Sequence, residues 1–454
     1  MSAEKVTNKM KIGKPPSDST PCGSPLPTNN GIVAYYDGSR YLVETPRDYV
    51  PMDRQSIVSH LKRRGHKDPE GYICETQIDR YVRYAGPLAG KLRGCVQCNG
   101  ALLLATSDPS IIKPAPGPCP TILSFITKLL GGDEHREVQI RRFIGWLAVG
   151  RAALVSGVRR PGQAIILAGP RSCGKTQFIR QVIVPVLGGR LAMAHKYFSG
   201  KTTFNGDLVG AEVLVIDDEA GSTRIEARRA IGESIKSNIF SGAVRIEGKF
   251  RAGFTFEPLW RVVIACNDEP ESLMVLPPLS NDLMDKLMVF RCSRSLELTD
   301  PEFDEWRAAV AAELPQFVNL LARHKIEEGD ADYRCGVSSF FHPQVVESML
   351  ELSPEHQLAA LIRQAEAGES ICLPWEGTAV ALRGILTGPG ASTRSDADRL
   401  LGSWVAATGV YLGRLVGKGV ERLPMLDGDN RWKITLESGE VDTILNTAPP
   451  PAPI

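Results

Sequence analysis

The segment AIILAGPRSCGKTQF (Ala164–Phe178) gives the strongest indication of the fold. It contains the pattern G-x-x-x-x-G-K-[ST], directly after an apolar run and directly before a stretch with helical periodicity. In a phosphate-binding loop, glycines allow backbone N–H groups to surround phosphate oxygens, and the following helix directs its positive end at the anion. The motif requires this order of strand, loop and helix, so the sequence predicts a phosphate cradle in an α/β protein.

Each position of the predicted cradle has its own part in binding ATP. We expect Lys175 to reach the β and γ phosphates and the Thr176 hydroxyl to be a ligand of Mg²⁺. The predicted nucleotide-binding residues are Gly169, Pro170, Arg171, Ser172, Cys173, Gly174, Lys175, Thr176 and Gln177.

Two further apolar runs end in polar residues that suit nucleotide hydrolysis. In EVLVIDDEA (212–220), Asp217 is the predicted metal-shell carboxylate at the tip of the neighbouring strand, and Asp218 or Glu219 would orient the attacking water. The assignment of these roles is open by one residue, because Asp218 and Glu219 also fit the pair of adjacent acids that such a motif contains. In LWRVVIACNDEP (259–270), Asn267 follows a third strand, where an amide can hold the water. The predicted catalytic set is therefore Lys175, Asp217, Asp218, Glu219 and Asn267.

A basic segment lies between these two motifs. The sequence AVRIEGKFRAGFTF (243–256) alternates like a two-stranded ribbon with a turn near Gly248. Lys249 would lie near the tip, flanked by Arg245 and Arg251. A cationic tip of this kind can hold successive phosphates of a single DNA strand without reading bases. A solvated hairpin without a ligand is the alternative.

The motifs resemble, in order and spacing, those of the superfamily-three helicases of the AAA+ class. More narrowly, they resemble the phage, plasmid and poxvirus type primase-helicases. The resemblance is strongest over residues 140–294. It is carried by GPRSCGKT (169–176), FNGDLVGAEVLVIDDEA (204–220), IKSNIFSGAVRIEGKF (235–250) and RVVIACNDEP (261–270).

The resemblance implies a fold and a set of partners. The fold would be an AAA+-like P-loop NTPase core with a parallel sheet, a helical or α+β N-terminal collar and a C-terminal winged-helix-like domain. The partners would be ATP, Mg²⁺ and single-stranded DNA, threaded through the central pore of a homo-hexamer.

In this family an Arg after the third motif reaches into the nucleotide site of the neighbouring subunit. Here the stretch is SNDLMDKLMVFRCSRS (280–295), and Lys286 stands near the expected position. Arg291 and Arg294 follow at a displaced spacing. A Lys supplies charge but lacks the bidentate fork of Arg, so all three residues are candidates for the trans-acting role.

The chain divides into six predicted regions. We predict a disordered tail over 1–30, a basic α+β or collar region over 31–130, the P-loop ATPase domain over 131–298, a helical extension over 299–368, a winged-helix-like domain over 369–440, and a second disordered tail over 441–454. In the winged-helix-like domain, SDADRLLGSWVAATG (395–409) is predicted to be one helix capped by Ser395.

The last predicted domain carries a basic face that suits duplex or origin DNA, with a protein-binding wing as the alternative. The residues of that face are Arg414, Lys418, Arg422, Arg431 and Lys433.

The composition narrows the class of protein. The 454 residues have a net charge of +1, with 43% hydrophobic and 23% charged residues, which is typical of a soluble globular protein. We find neither a membrane-spanning apolar run nor a secretory signal, and we predict a cytoplasmic protein with reduced thiols and no membrane partner. Cys95 and Cys98 form a C-x-x-C pair, but a second tight pair for zinc is missing.

These features favour one function and leave two alternatives. The favoured function is an ATP-dependent, ring-forming replicative DNA helicase of a mobile genetic element such as a phage, satellite or plasmid. The first 130 residues contain no polymerase-like set of carboxylates, so a primase would be a separate protein. The first alternative is an ATP-switched, DNA-binding replication initiator or regulator without processive unwinding. The second is a signalling ATPase whose C-terminal region binds protein.

Overall fold

Two three-stranded sheets and two short helices form the N-terminal part of the fold. This computed structural model describes residues 31–217, 225–240, 242–248, 253–273, 275–279, 282–293, 300–351, 353–426 and 428–436. The first elements are β1 (Ala34–Tyr36), β2 (Tyr41–Glu44), β3 (Tyr49–Met52), α1 (Arg54–Arg63), α2 (Pro69–Asp79), β4 (Tyr84–Gly86), β5 (Gly94–Cys98) and β6 (Ala101–Ala105). In the first sheet β2 lies between β1 and β3, and in the second β6 lies between β4 and β5. Helices α3 (Pro120–Leu130) and α4 (Arg136–Ser156) then lead into the centre of the chain.

A five-stranded parallel sheet forms the centre of the fold and confirms the predicted α/β class. The next strands are β7 (Ala164–Ala168), β8 (Leu191–Met193), β9 (Val213–Asp217), β10 (Val244–Ile246), β11 (Phe254–Phe256), β12 (Arg261–Cys266) and β13 (Leu287–Arg291). The sheet order is β13-β7-β12-β9-β8, and β10 pairs with β11 in a separate antiparallel ribbon. Because both faces of the sheet are covered, its strands read as nearly continuous apolar runs.

Alternate residues of the central strands pack into two different cores. On β7, Ile165 and Leu167 belong to the core that contains α3, α4 and the following helices, whereas Ile166 and Ala168 face the opposite core. This separation follows from the twofold alternation of side chains along a strand. The second core also contains Leu103 of β6, so the N-terminal part packs directly against the central sheet.

Short helices connect the central strands. They are α5 (Lys175–Phe178), α6 (Val184–Val186), α7 (His195–Phe198), α8 (Ile225–Ile235) and α9 (Pro270–Leu273). A π-helical turn at Ile179–Ile183 joins α5 to α6, and another at Lys236–Phe240 follows α8. Pro185 of α6 has no N–H to donate, so the regular α-helical hydrogen bonding cannot pass through this position, and the first π turn ends two residues before it.

The C-terminal part consists of helices followed by a small antiparallel sheet. Its elements are α10 (Asp300–Arg323), α11 (Pro343–Glu351), α12 (Pro354–Ala367), β14 (Trp375–Thr378), α13 (Ala379–Leu386), α14 (Arg394–Leu401), α15 (Ala407–Arg414), β15 (Val420–Leu426) and β16 (Asp429–Ile434). The strand order is β14-β16-β15. The prediction of one helix over 395–409 is wrong, because Gly402 at φ +50° ends α14 and a second helix starts at Ala407. Ser395 lies inside α14 and does not cap it.

A buried ion pair fastens the N-terminal part to the central sheet. Glu212, which immediately precedes β9, is fully buried. Its carboxylate accepts hydrogen bonds from the Arg190 guanidinium and, at 2.9 Å, from the backbone N–H of Gly90. Gly90 has φ +73°, and a Cβ there would lie 2.6 Å from Leu259 Cβ, so the close approach requires glycine. Across the described residues, none of the helices is both long and apolar enough to span a bilayer.

We predict that Glu212→Ala lowers the free energy of unfolding by about 3–5 kcal/mol, because it leaves the Arg190 charge and the Gly90 N–H without their partner. Equilibrium unfolding in urea, followed by tryptophan fluorescence, measures this change. Glu134→Ala removes a carboxylate whose side chain is 88% exposed and is the control, with an expected change below about 0.5 kcal/mol. Equal stability of the two variants would contradict the structural role of Glu212.

Candidate nucleotide-binding site

Three of the predicted motifs meet at the carboxyl edge of the central sheet. The cradle follows β7, Asn267 follows β12, and Asp217 is the last residue of β9. Cys266 pairs with Ala168, and Ala265 pairs with Asp217, so these strands end at nearly the same level. The expectation that the Asp217 strand neighbours the cradle strand is wrong, because β12 lies between them.

The cradle backbone has the left-handed turns that curl N–H groups inward. Ser172 has φ +59° and Gly174 has φ +105°, directly before α5 begins at Lys175. At the start of the loop, a Cβ on Gly169 would lie 2.4 Å from the carbonyl oxygen of Cys292, so this position accepts only glycine. The Thr176 side chain is exposed, and its hydroxyl can reach a ligand above the loop.

Lys175 lies across the cradle and joins it to Asn267. Its side chain is largely buried, and Nζ donates to the carbonyl oxygens of Gly169 at 2.6 Å and Pro170 at 2.9 Å. Nζ also lies 3.3 Å from Oδ1 of Asn267, a residue 92 positions later in the chain. An ammonium group surrounded by oxygen acceptors can exchange these partners for phosphate oxygens, which bind it more strongly.

The thiols beneath the cradle are neutral. Burial raises the pKa of Cys173, although the nearby Lys175 charge opposes this. Burial also raises the pKa of Cys292 well above its ordinary value. These cysteines therefore act as small apolar side chains under the loop.

Several predicted site residues lie outside the described residues. These residues are Asp218, Glu219, Lys249, Arg251 and Arg294. Arg171 and Gln177 belong to the cradle segment, where Arg171 is exposed and Gln177 is half-buried.

Arg291, one of the predicted trans-acting residues, is held within its own subunit. It ends β13 opposite Ala168, and its guanidinium lies 3.2 Å from the Asp133 carboxylate, which also contacts His342 Nε2 at 2.8 Å. Partial burial alone would raise the pKa of Asp133, but hydrogen bonds from the His135 backbone, His342 and Arg291 lower it below its ordinary value. The carboxylate is thus charged at neutral pH and neutralises Arg291.

Lys286 lies at the opposite edge of the sheet from the cradle. It directly precedes β13, and its Nζ donates to the Asp282 carbonyl at 2.8 Å and to Asp285 Oδ1 at 2.5 Å. The ammonium also lies 5.6 Å from the centroid of the Phe240 ring. Because β13 runs parallel to β7 for five residues, about 17 Å of strand separates Lys286 from the cradle edge.

The predicted basic ribbon is present as β10 and β11, with Arg245 opposite Thr255. The Arg245 side chain is 65% exposed and pairs with Glu247 at 2.9 Å. The base of the ribbon rests on Asn205, which is 1% exposed. The Asn205 amide donates to the Arg245 carbonyl at 2.9 Å, and its Oδ1 accepts from the Glu247 N–H at 2.8 Å.

A cavity of about 520 Å³ opens beside the ribbon and is bounded by both the N-terminal part and the central part. Its walls combine aromatic rings with basic and acidic side chains, the acids being Asp207 and Glu247. Among its lining residues are Arg83, Tyr84, Lys196, Tyr197, Phe204 and Phe254. Phe204 is 42% exposed, so its ring is open to a ligand.

The predicted basic face of the C-terminal part is largely paired. Arg414 lies 3.2 Å from Glu355, and Arg431 lies 3.5 Å from Glu376. Arg422 packs over the Trp432 ring at 5.8 Å from its centroid. Arg431 and Lys433 alternate along β16 with buried residues and therefore share its outer face.

Among the described residues, no group of three or more His, Cys, Asp or Glu side chains is placed to hold a metal ion. Cys95 and Cys98 both lie on β5.

Sequence reasoning missed two residues that shape this region. The sequence marked Asn205 only as one residue of a longer motif and assigned it no role. Its role in holding the ribbon depends on a contact with residues about forty positions later. No sequence pattern pointed to Asp133, because its partners Arg291 and His342 are far away in the chain.

Comparisons with known proteins agree with the fold. A family model described as a family of unknown function (DUF5906) matches residues 167–277, which include the cradle, Asp217, the ribbon and Asn267. No curated protein matches the chain. The apo structure of the NrS-1 C-terminal region (305–718) is similar at a TM-score of 0.54 and 12% identity, covering 90% of this chain and 96% of that one.

An A-form apo structure of the same NrS-1 region gives a TM-score of 0.52 at 13% identity, over 90% of this chain and 97% of that one. The X-ray structure of JCV helicase matches at a TM-score of 0.25 and 13% identity, over 55% of this chain and 73% of that one. The likeness to the NrS-1 region extends over most of both chains and shows a shared fold.

We predict that Asn205→Ala loosens the base of the ribbon, because the Glu247 N–H and the Arg245 carbonyl lose their buried partner at a cost of about 1–3 kcal/mol. Hydrogen exchange of the Glu247 amide should become about 10- to 100-fold faster, since 1.4 kcal/mol corresponds to a factor of ten. Asp207→Ala, on an exposed residue of the same segment, is the control. Unchanged exchange in Asn205→Ala would show that the amide does not hold the ribbon.

Proposed function

We propose that this chain is an ATP-dependent replicative DNA helicase of a mobile genetic element such as a phage, satellite or plasmid. It would act as a homo-hexameric ring that translocates on single-stranded DNA. One observation carries the proposal: Lys175 Nζ lies 3.3 Å from Asn267 Oδ1, at the sheet edge where Asp217 ends β9. A nucleotide-hydrolysing motor requires a lysine for the phosphates, a carboxylate for the metal and a polar group for the attacking water, and here these three are adjacent.

The residues of the site fit ATP and Mg²⁺ by their donor chemistry. The cradle backbone from Gly169 to Gln177 and the Lys175 ammonium would hold the phosphates, and Thr176 with Asp217 would hold Mg²⁺. The bound Mg²⁺ supplies positive charge against the phosphate oxygens. Asp217 with Asp218 or Glu219 would orient the attacking water, and the Asn267 amide would hold it in line with the γ phosphate.

Single-stranded DNA would contact the ribbon and the cavity beside it. Arg245, Lys249 and Arg251 supply positive charge for phosphates, and the aromatic walls of the cavity supply faces on which bases stack. Base stacking and phosphate attraction are independent of sequence, as translocation requires.

Duplex or origin DNA is the partner that we propose for the C-terminal part. The order of strand, three helices and two-stranded hairpin supports this proposal, because it is the order expected of a winged-helix domain. Arg431 and Lys433 lie on the outer face of that hairpin.

Strand displacement by the purified full chain tests the proposal. With ATP and Mg²⁺, wild-type protein should separate a forked duplex, and Lys175→Ala should lower ATP hydrolysis and unwinding by about 100-fold or more, because the phosphates lose their charged donor. Lys128→Ala, on an exposed residue of α3, is the matched control and should retain wild-type rates. Unwinding that survives Lys175→Ala would overturn the proposal.

One observation favours the second candidate function, an ATP-switched DNA-binding initiator or regulator. Lys286, which cannot form a bidentate fork, stands where the resemblance leads us to expect a trans-acting Arg. ATP hydrolysis stimulated by DNA without strand displacement would support the initiator. Hydrolysis that DNA does not stimulate would instead support a signalling ATPase.

A further inference from the structure

The cavity beside the ribbon has aromatic walls whose polar ends are already bound to the protein. Tyr84 and Phe254 pack against each other with their ring centroids 5.3 Å apart. The Tyr84 hydroxyl donates to the Pro87 carbonyl oxygen at 3.1 Å. The Tyr197 hydroxyl donates to Asn238 Oδ1 at 3.2 Å. Because both hydroxyls have acceptors on the protein, these side chains offer a ligand their ring surfaces, which suit a flat heteroaromatic base.

The cavity is large and open enough for one nucleotide. Its volume of about 520 Å³ lies within the range of roughly 300–1,000 Å³ that is typical of small-molecule sites. Phe204 and Met193 both line it and are 42% and 53% exposed. Gly248 also lines it, and a Cβ added there would meet no atom within 4 Å. A ring can therefore approach the backbone closely at this glycine.

The charged side chains of the cavity are few and of both signs. Arg83 and Lys196 are exposed, and neither forms an ion pair with another described residue. Asp207 is exposed too and has no cationic partner among those residues, whereas Glu247 is bound by Arg245 Nε at 2.9 Å. Two cations suit a single phosphate group, and a carboxylate accepts hydrogen bonds from hydroxyl groups.

We propose that this cavity is a second nucleotide site, separate from the cradle, and that it takes one free ribonucleotide. The base would stack on the rings, and the phosphate would contact Arg83 and Lys196. Asp207 would accept hydrogen bonds from the ribose hydroxyls, as an acidic residue does in dinucleotide-binding folds. Because DNA lacks the 2′-hydroxyl, Asp207 favours a ribonucleotide over a nucleotide of a DNA strand.

This inference goes beyond the proposed function, in which the same rings serve a DNA strand. A ribonucleotide held in the cavity would cover Phe204 and leave a strand only the ribbon. The two ligands would therefore compete, and each would lower the affinity of the chain for the other by the same factor.

The first experiment measures binding of 2-aminopurine riboside 5′-monophosphate, whose fluorescence falls when its base stacks on a ring. The full chain carries Lys175→Ala, so that the cradle contributes little to binding. Adding Phe204→Ala should weaken binding about 5- to 150-fold, the effect of losing one base-stacking ring, and Phe204→Trp should retain it. Tyr333→Ala, which removes a ring that is 92% exposed and lies outside the cavity, is the control. Binding that Phe204→Ala leaves unchanged would overturn the proposal.

The second experiment tests recognition of the ribose. The 2′-deoxy form of the same nucleotide should bind about 10-fold more weakly or worse, because it lacks one hydrogen bond to a charged group. Asp207→Ala should bring the two affinities within about twofold of each other. Equal affinity for the two forms before that substitution would contradict the role of Asp207 and the preference for a ribonucleotide.

A third experiment separates this inference from the proposed function. A single-stranded oligonucleotide should displace the bound ribonucleotide. Quenching of a 2-aminopurine base within the oligonucleotide through Phe204, without binding of the free nucleotide, would assign the cavity to DNA and overturn the inference. Strand displacement by wild-type protein that binds no ribonucleotide at the cavity would overturn the inference alone. Ribonucleotide binding by a chain that neither hydrolyses ATP nor unwinds DNA would support the inference and overturn the proposed function.

Discussion

The parallel pairing of the central strands is the constraint on which the rest of the structure depends. In a parallel sheet every strand delivers its following loop to the same edge, so residues far apart in sequence arrive together. The cradle, Asn267 and Asp217 share the carboxyl edge for this reason, and Lys286 is held at the amino edge for the same reason. Two apolar cores cover the faces of the sheet, so neither edge can move without disturbing both.

The sequence was sufficient for the local parts of this arrangement. Apolar runs ending in polar residues predict buried strands, and the cradle pattern predicts its own strand, loop and helix, all of which the structure contains. The order of the strands could not be predicted from local sequence patterns, because nothing in the residues of β7 or β9 indicates that β12 lies between these two strands. The end of α14 at Gly402 was not predicted, because the helical spacing of apolar residues continues past this position. The helix ends there because Gly402 adopts φ +50°, which is outside the helical region.

The ribbon is attached to both of the strands that carry candidate catalytic residues. Asn205 belongs to the segment that leads into β9, and it binds the backbone of Arg245 and Glu247. On the other side, β11 continues through four residues into β12, which ends at Asn267. A displacement of Asp217 relative to Asn267 would therefore be transmitted to the base of the ribbon by one covalent and one hydrogen-bonded connection. In the proposed motor, this pair of connections links the site to the DNA strand.

The two edges of the sheet differ in how their cations are balanced. At the carboxyl edge, Arg291 has its own carboxylate in Asp133, which also contacts His342. At the amino edge, Asp285 is shared by Lys286 and Arg334. Burying such a cation pair against another protein surface is costly unless that surface brings negative charge.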